Sequence, residues 1–413
     1  MSDIALRPQS AGGRNFAIDF LRGLAVLAVI QTHAGFHYMF PESYRAGAIK
    51  ILGNGYYGVI VFFTISGFLI TSRSIARYGR LSSLDLREFY VMRFARIMPP
   101  LFLAIVTLWM LYLLGVQYFV PKDPDVLWRA TYVALTFQYN QVFGTLDVDG
   151  MRSWSVLWSL SIEELFYFAF PLICLFTRRT LIFCTTMIAL IVIGPFIRTD
   201  SSQIYSWWGC ADALSIGCLT AVITAKFQDV EFSAVFYGVM KLGGLLIIGA
   251  IYLDTLAGTH PRFTMTGISF GTALFLSAAA RQPTLYFSRM LAPTALCGVL
   301  SYELYLFHRT AVHLFQFRII DSVTKHVPQS MVVWISGALF YVAIILTSAV
   351  MARFYSEPLN RFIRRFYAQP MEMPDTAAIA ATCLQRSGSS EGFDSPWKIV
   401  WRRFADTGDG VAN

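Results

Sequence analysis

Apolar stretches of about 20 residues recur along the chain, separated by short polar or basic segments. A helix needs about that length to cross the ~30 Å hydrocarbon core of a bilayer. The pattern predicts ten spans, at about 16–38, 55–72, 99–117, 154–176, 180–197, 207–225, 236–254, 263–280, 292–316 and 331–352. The stretch LWRATYVALTFQYNQVF at 126–142 is aromatic but carries Arg129, Gln138, Asn140 and Gln141. Counting it as a span would reverse everything downstream, so it reads as an outer-face or re-entrant segment. The expected fold is therefore an all-α polytopic integral membrane protein with about ten transmembrane helices. From about 367 the character changes, with Pro370, Pro374 and SGSSEG at 387–392, which reads as a disordered tail. Within it, WKIVWRRF at 397–404 is a basic–aromatic piece that could instead rest on the inner membrane surface. The organisation is a short N-terminal segment at 1–15, a membrane domain at 16–366 and the tail at 367–413.

Composition agrees with the pattern. Of 413 residues, 56% are hydrophobic and 14% charged, with mean hydropathy +0.54. An ordinary soluble domain carries about 25% charged residues, so soluble enzymes, disordered chains and disulfide-rich secreted scaffolds are excluded. The net charge is +8, from 33 Lys and Arg against 25 Asp and Glu. Of those 33, 22 fall in segments on the N-terminal side of the spans and nine on the opposite side. Positive charge gathers on the cytoplasmic side, so both termini are expected in the cytoplasm, in a multi-pass inner-membrane protein. The same bias accounts for the basic pI without any nucleic-acid partner. Cys174, Cys184, Cys210, Cys218, Cys297 and Cys383 form no CxxC or Cys/His spacing, which implies neither a zinc site nor a disulfide framework. The first apolar run is too long for a signal-peptide core and lacks a small-residue cleavage site.

Ionisable groups inside spans are costly and tend to mark functional cavities. In the first span, Asp19 and Arg22 sit near the inner end and His33 follows eleven residues after Arg22. That is roughly 16 Å up the helix and close to three turns, so Arg22 and His33 share a face. Arg22 could snorkel to headgroups and His33 could be a packing histidine, but together they favour a lined cavity. His37 at i+4 lacks a third ligand at metal spacing, so no metal is expected. The second span holds Gly55, Gly58, Ser66 and Gly67, small residues that suit helix packing or a thin substrate passing the backbone. Arg93 and Arg96 project from one side of a helix, and Pro99 and Pro100 mark a break at the entry to the third span. Two guanidiniums there make a receptor for phosphate groups, or are simply two more inner charges. The fourth span carries Glu163 and Glu164, with Trp158, Ser159 and Ser161 a turn earlier. A carboxylate there can pair with an intramembrane cation or orient an imidazole. Asp212 is another buried acid, and the ninth span brings Tyr302, Glu303, Tyr305 and His308 along little more than two turns.

In order and number, these pieces resemble the membrane acyltransferase family 3, the carbohydrate O-acyltransferases. The matching segments are IDFLRGLAVLAVIQTH, GVIVFFTISGFLIT, FYVMRFARIMPPL, WSLSIEELFYFAFPL, ADALSIGCLTA, SYELYLFHRTA and SEPLNRF, covering about 16–366. The resemblance implies transfer of an acyl group, most often acetyl, from cytoplasmic acyl-CoA to a hydroxyl of a carbohydrate or glycolipid acceptor. It implies acetyl-CoA as co-substrate, membrane lipids as surroundings and no metal. The family's Arg-(ten residues)-His motif falls on Arg22 and His33, its Arg-x-x-Arg on Arg93 and Arg96, and its WSLxxEE piece on Trp158, Ser159, Glu163 and Glu164. Leu165 and Asn54 depart from the usual Gln and Gly, which is expected to affect acceptor fit. Some members carry a C-terminal hydrolase-like extracytoplasmic domain. It is expected to be lacking here, which leaves later handling of the acyl group to a separate extracytoplasmic partner.

On this reading His33 is the catalytic base or an acyl carrier, and Glu163 sets its tautomer or balances buried cations. Arg22, Arg93, Arg96, Trp158, Ser159, Glu164, Tyr302 and His308 bind substrate. A lipid-linked glycan flippase without acyl transfer is the alternative. A polyprenyl-phosphate glycosyltransferase fits less well, because the first outer loop holds only Glu42 where such enzymes place acidic pairs.

Overall fold

The computed structural model describes residues 14–35, 47, 52–145, 150–198, 204–253, 261–315, 321–326 and 328–368. Its contacts divide at Arg364, and of the second unit only the end of the last helix is described. The proposed tail and His37 lie outside the described residues.

The described residues are helical, without strands. In chain order the helices are α1 (Phe16–Ala34), α2 (Tyr56–Tyr78), α3 (Leu86–Leu113), α4 (Pro124–Leu135), α5 (Leu157–Thr177), α6 (Thr180–Ile197), α7 (Ala211–Lys226), α8 (Ala234–Tyr252), α9 (Pro261–Arg281), α10 (Ser288–Val299), α11 (Ser301–Phe315), α12 (Asp321–His326), α13 (Gln329–Met351) and α14 (Glu357–Ala368). Among the described residues, nine helices are long and apolar enough to cross a membrane, or ten when α10 and α11, bent by 73°, are counted as one span. The protein is thus an all-α polytopic membrane protein. α4, within the ambiguous aromatic stretch, has 12 residues and is too short to span.

Local chemistry sets the ends. Asn15 caps α1 by accepting from the Ile18 amide at 3.1 Å, and Gly35 closes it in the left-handed region at φ 69°. Asp85 caps α3 through the Glu88 amide at 3.0 Å. Pro99 and Pro100 do not break the chain as expected, because α3 runs through both. Each removes one backbone donor, a loss that helices in lipid absorb when neighbours supply donors. The carbonyls left without helical donors are those of Ala95 and Arg96, and the Tyr302 hydroxyl donates to the next one along, Ile97, at 3.1 Å. The last span continues through a π-helical turn, Ala352–Ser356, into α14.

Small residues bring the helix backbones together. A Cβ at Gly67 would overlap the Leu214 carbonyl, and one at Gly217 the Thr64 carbonyl, so α2 and α7 touch backbone to backbone. Gly55 and Gly58 are closed off by α1 in the same way. The glycines of the second span therefore serve packing and leave no passage for a substrate. Lys241 lies inside α8, where its amine donates to the Gln282 and Thr284 carbonyls at 2.6 and 2.7 Å. Arg198 and Asp212, each 1% exposed in their side chains, pair bidentately at 2.7 Å, with Thr266 and the Arg262 carbonyl also bound to the guanidinium. Asp212 is thus the anchor of a buried ion pair joining α7 to the chain after α6.

Candidate active site

α1, α2, α3, α5 and α11 line a partly open cavity of about 90 Å³. Helical periodicity selects its walls. α2 contributes positions 59, 62, 63, 65, 66, 69 and 73, recurring about every three to four residues, and α5 contributes 157, 159, 160, 163, 164 and 167. Ser66 to Arg73 is two turns, so a serine deep in the wall and an arginine at the mouth lie on one face.

Four arginines line this cavity, Arg22 from α1, Arg73 from α2, and Arg93 and Arg96 from α3. Arg96 is close enough to act electrostatically on both Arg22 and Arg73. Arg22 donates to Ser301 Oγ at 2.7 Å, and the Arg93 guanidinium lies 4.5 Å from the Tyr167 ring centre. Among the described residues none of the four is in an ion pair; the pairs found join Arg14 to Asp19, Arg77 to Glu88 and Arg198 to Asp212. Glu163 and Glu164 on the facing wall supply less negative charge than the arginines supply positive. Unpaired guanidiniums facing such a cavity form a receptor for a multiply charged anion.

Glu163 accepts hydrogen bonds from Ser66 and Tyr167, tying α5 to α2. Glu164 Oε1 is buried without a hydrogen-bond partner. Ser159 Oγ lies 2.6 Å from the Tyr305 hydroxyl, and Tyr302 and Tyr305 both line the cavity. Phe62 and Tyr305, with ring centres 6.2 Å apart, belong to its inner end.

His33 does not line the cavity. It lies beyond Tyr305, with its Nδ1 3.0 Å from Nε2 of the fully buried His308. His308 Nδ1 is in turn 2.6 Å from the Tyr305 carbonyl. Arg22 and His33 do share a face of α1, since both turn toward α11, one to Ser301 and the other to His308.

The structure thus brings together Arg22, Arg93, Arg96, Ser159, Glu163, Glu164 and Tyr302 around one cavity and pairs His33 with His308 beside it. Trp158 is not among the residues lining the cavity; it packs against Phe143, Tyr205 and the lining residue Phe63. Glu163 is also not the partner of His33; its bonds go to Ser66 and Tyr167. Leu165, 38% exposed, points outward from the bundle and does not touch the cavity, and Asn54 binds the Tyr252 carbonyl at 2.8 Å. Sequence reasoning passed over Arg73, Tyr167 and Ser301. The first two were legible as Ser66 plus seven and Glu163 plus four. Arg364 was also missed. It is within electrostatic reach of Arg96 and Arg93, and its buried Nε has no partner. Among the described residues no three His, Cys, Asp or Glu are grouped to hold a metal ion.

Fold and site together define a helical membrane protein built around a charged, membrane-embedded cavity. The chain belongs to the acyltransferase family, whose acyltransferase domain matches it over residues 15–353. It is 29% identical over 370 residues to "O-acetyltransferase OatA" of Staphylococcus aureus, covering 83% of this chain and 57% of that one. It is 28% identical over 336 residues to "Peptidoglycan O-acetyltransferase OatA" of Listeria monocytogenes, covering 72% and 49%. The chain thus spans about half the length of the curated relatives it matches. No solved structure matches it.

Proposed function

We propose that the protein is a membrane O-acyltransferase that moves an acetyl group from a cytoplasmic coenzyme A thioester to a hydroxyl of a carbohydrate. The name of the Listeria monocytogenes relative suggests a peptidoglycan-type glycan as acceptor. The observation that carries this reading is the set of unpaired arginines at one end of a cavity whose inner end adjoins a histidine pair.

In this reading Arg73, Arg93 and Arg96 hold the donor phosphates, and the pantetheine arm runs between α2 and α5 past Glu164. From Arg73 to Val59 the α2 wall rises roughly 21 Å at 1.5 Å per residue. The acyl group passes Phe62 and Tyr305 to reach His33. His33 takes the proton of the acceptor hydroxyl as that oxygen bonds to the acyl carbon. The C–S bond breaks, and the departing thiolate recovers the proton as free thiol. General-base help of this kind contributes about 10²–10⁴-fold. Glu163 offsets arginine charge and holds the α2–α5 wall. A donor confined to one face and an acceptor on the other fit a cavity lined along α2 from Arg73 to Val59.

The test is label transfer from acetyl-labelled coenzyme A into an envelope glycan fraction, in inverted vesicles carrying wild type or His33→Ala. Alkali-labile label with wild type alone, at equal membrane protein level, is the expected result. Label surviving in His33→Ala removes the base assignment. Neither label nor coenzyme A binding in wild type replaces the reading with that of a flippase.

A further inference from the structure

We infer that His308 is a positioning residue that holds His33 in its Nδ1–H tautomer, leaving Nε2 of His33 as the nitrogen that meets the substrate. The inference rests on the proposed role of His33, but its geometric part stands apart from it.

The argument starts at a group with fixed polarity. The Tyr305 carbonyl can only accept, so His308 Nδ1, 2.6 Å away, carries a proton. A neutral His308 then has its lone pair on Nε2. That nitrogen faces His33 Nδ1 at 3.0 Å, and the contact is a hydrogen bond only if His33 Nδ1 is the donor. The opposite arrangement needs a doubly protonated His308 donating to His33. His308 is fully buried, and among the described residues the ionisable groups acting on the pair are Arg309 and His313, so a second positive charge there meets no carboxylate among them.

Tyr305 links this pair to the cavity. Its hydroxyl contacts Ser159 Oγ and the Val156 carbonyl while its own carbonyl sets the His308 proton. The orientation of the base is thus anchored to the wall that receives the donor. When His33 Nε2 takes the hydroxyl proton, the new charge is shared through Nδ1–H with the waiting His308 lone pair. A hydroxyl proton moved and a thioester cleaved balance as ester plus thiol, with no further reactant.

Two measurements test this. In ¹⁵N-histidine-labelled protein in lipid nanodiscs, the resonances lost in His33→Ala should show a protonated Nδ1 and an unprotonated Nε2 in wild type. The reverse pattern overturns the inference even if His33 proves essential. In transfer kinetics, His308→Leu should lower kcat by about 10²-fold or more, as loss of tautomer control does elsewhere, with the donor KM within twofold. His308→Gln places an amide oxygen where Nε2 accepts, and should recover at least tenfold of that loss. Equal losses in Leu and Gln variants that both accumulate as well as wild type would reduce His308 to packing. Activity persisting in His33→Ala would instead overturn the base assignment, while the NMR result would still decide the tautomer.

Discussion

Arg96 is the position where the donor-site reading is most exposed to test. It acts electrostatically on Arg22, Arg73 and Arg364, and among the described residues it has no ion-pair partner. The buried Glu303 carboxyl is within its electrostatic reach but forms no ion pair with it, which leaves the guanidinium available to an anionic ligand. A hydrogen bond to a charged group is worth about 1.5–3 kcal/mol, and each 1.4 kcal/mol is a factor of ten, so Arg96→Ala should weaken the donor roughly 10- to 140-fold. The loss should appear in KM with kcat within about threefold, because phosphates far from the reacting carbon bind equally in ground and transition states. Removing one of several like charges should also leave the ligand-free protein at least as thermally stable as wild type. Initial rates against acetyl-CoA in inverted vesicles give the first number, and melting of the detergent-solubilised protein with and without coenzyme A gives the second. A donor KM within twofold of wild type would refute the assignment. A ligand-free protein that melts well below wild type would show that Arg96 is structural.

Two further predictions concern the scaffold. Arg198→Leu leaves the Asp212 carboxylate buried and uncompensated and should cost about 3–5 kcal/mol, read as a lower melting temperature; an unchanged value would mean that water reaches the pair. Gly217→Val should prevent accumulation of folded protein by pushing its side chain into the Thr64 carbonyl, whereas Gly249→Ala, with open space around it, should accumulate normally. Equal yields of the two would contradict the close α2–α7 approach.

The spans and their order were legible in the chain because the bilayer acts on each segment by itself. A run of about 20 apolar residues must cross, and a run with Arg129, Gln138 and Asn140 in it does not, whatever its neighbours do. Periodicity carried this further, placing Arg22 with His33 and Arg93 with Arg96, because both relations lie within one helix. It failed where a helix had to be turned toward something. Trp158 and Ser159 are adjacent in sequence, yet only Ser159 lines the cavity, and nothing local says which side of α5 is inward.

By itself, then, the sequence determined an all-α membrane protein of about ten spans and a family likeness that the matched region bears out. Tertiary structure alone decided the contacts that make the charged residues a site. His33 meets His308 across 275 positions, Arg198 meets Asp212 across a helix boundary, and Arg73 joins Arg93 and Arg96. Helix rotation and crossing are set by pairwise packing, through glycines such as Gly67 and Gly217 and through the bend at Leu300. That packing is a property of two surfaces at once, which neither segment encodes alone.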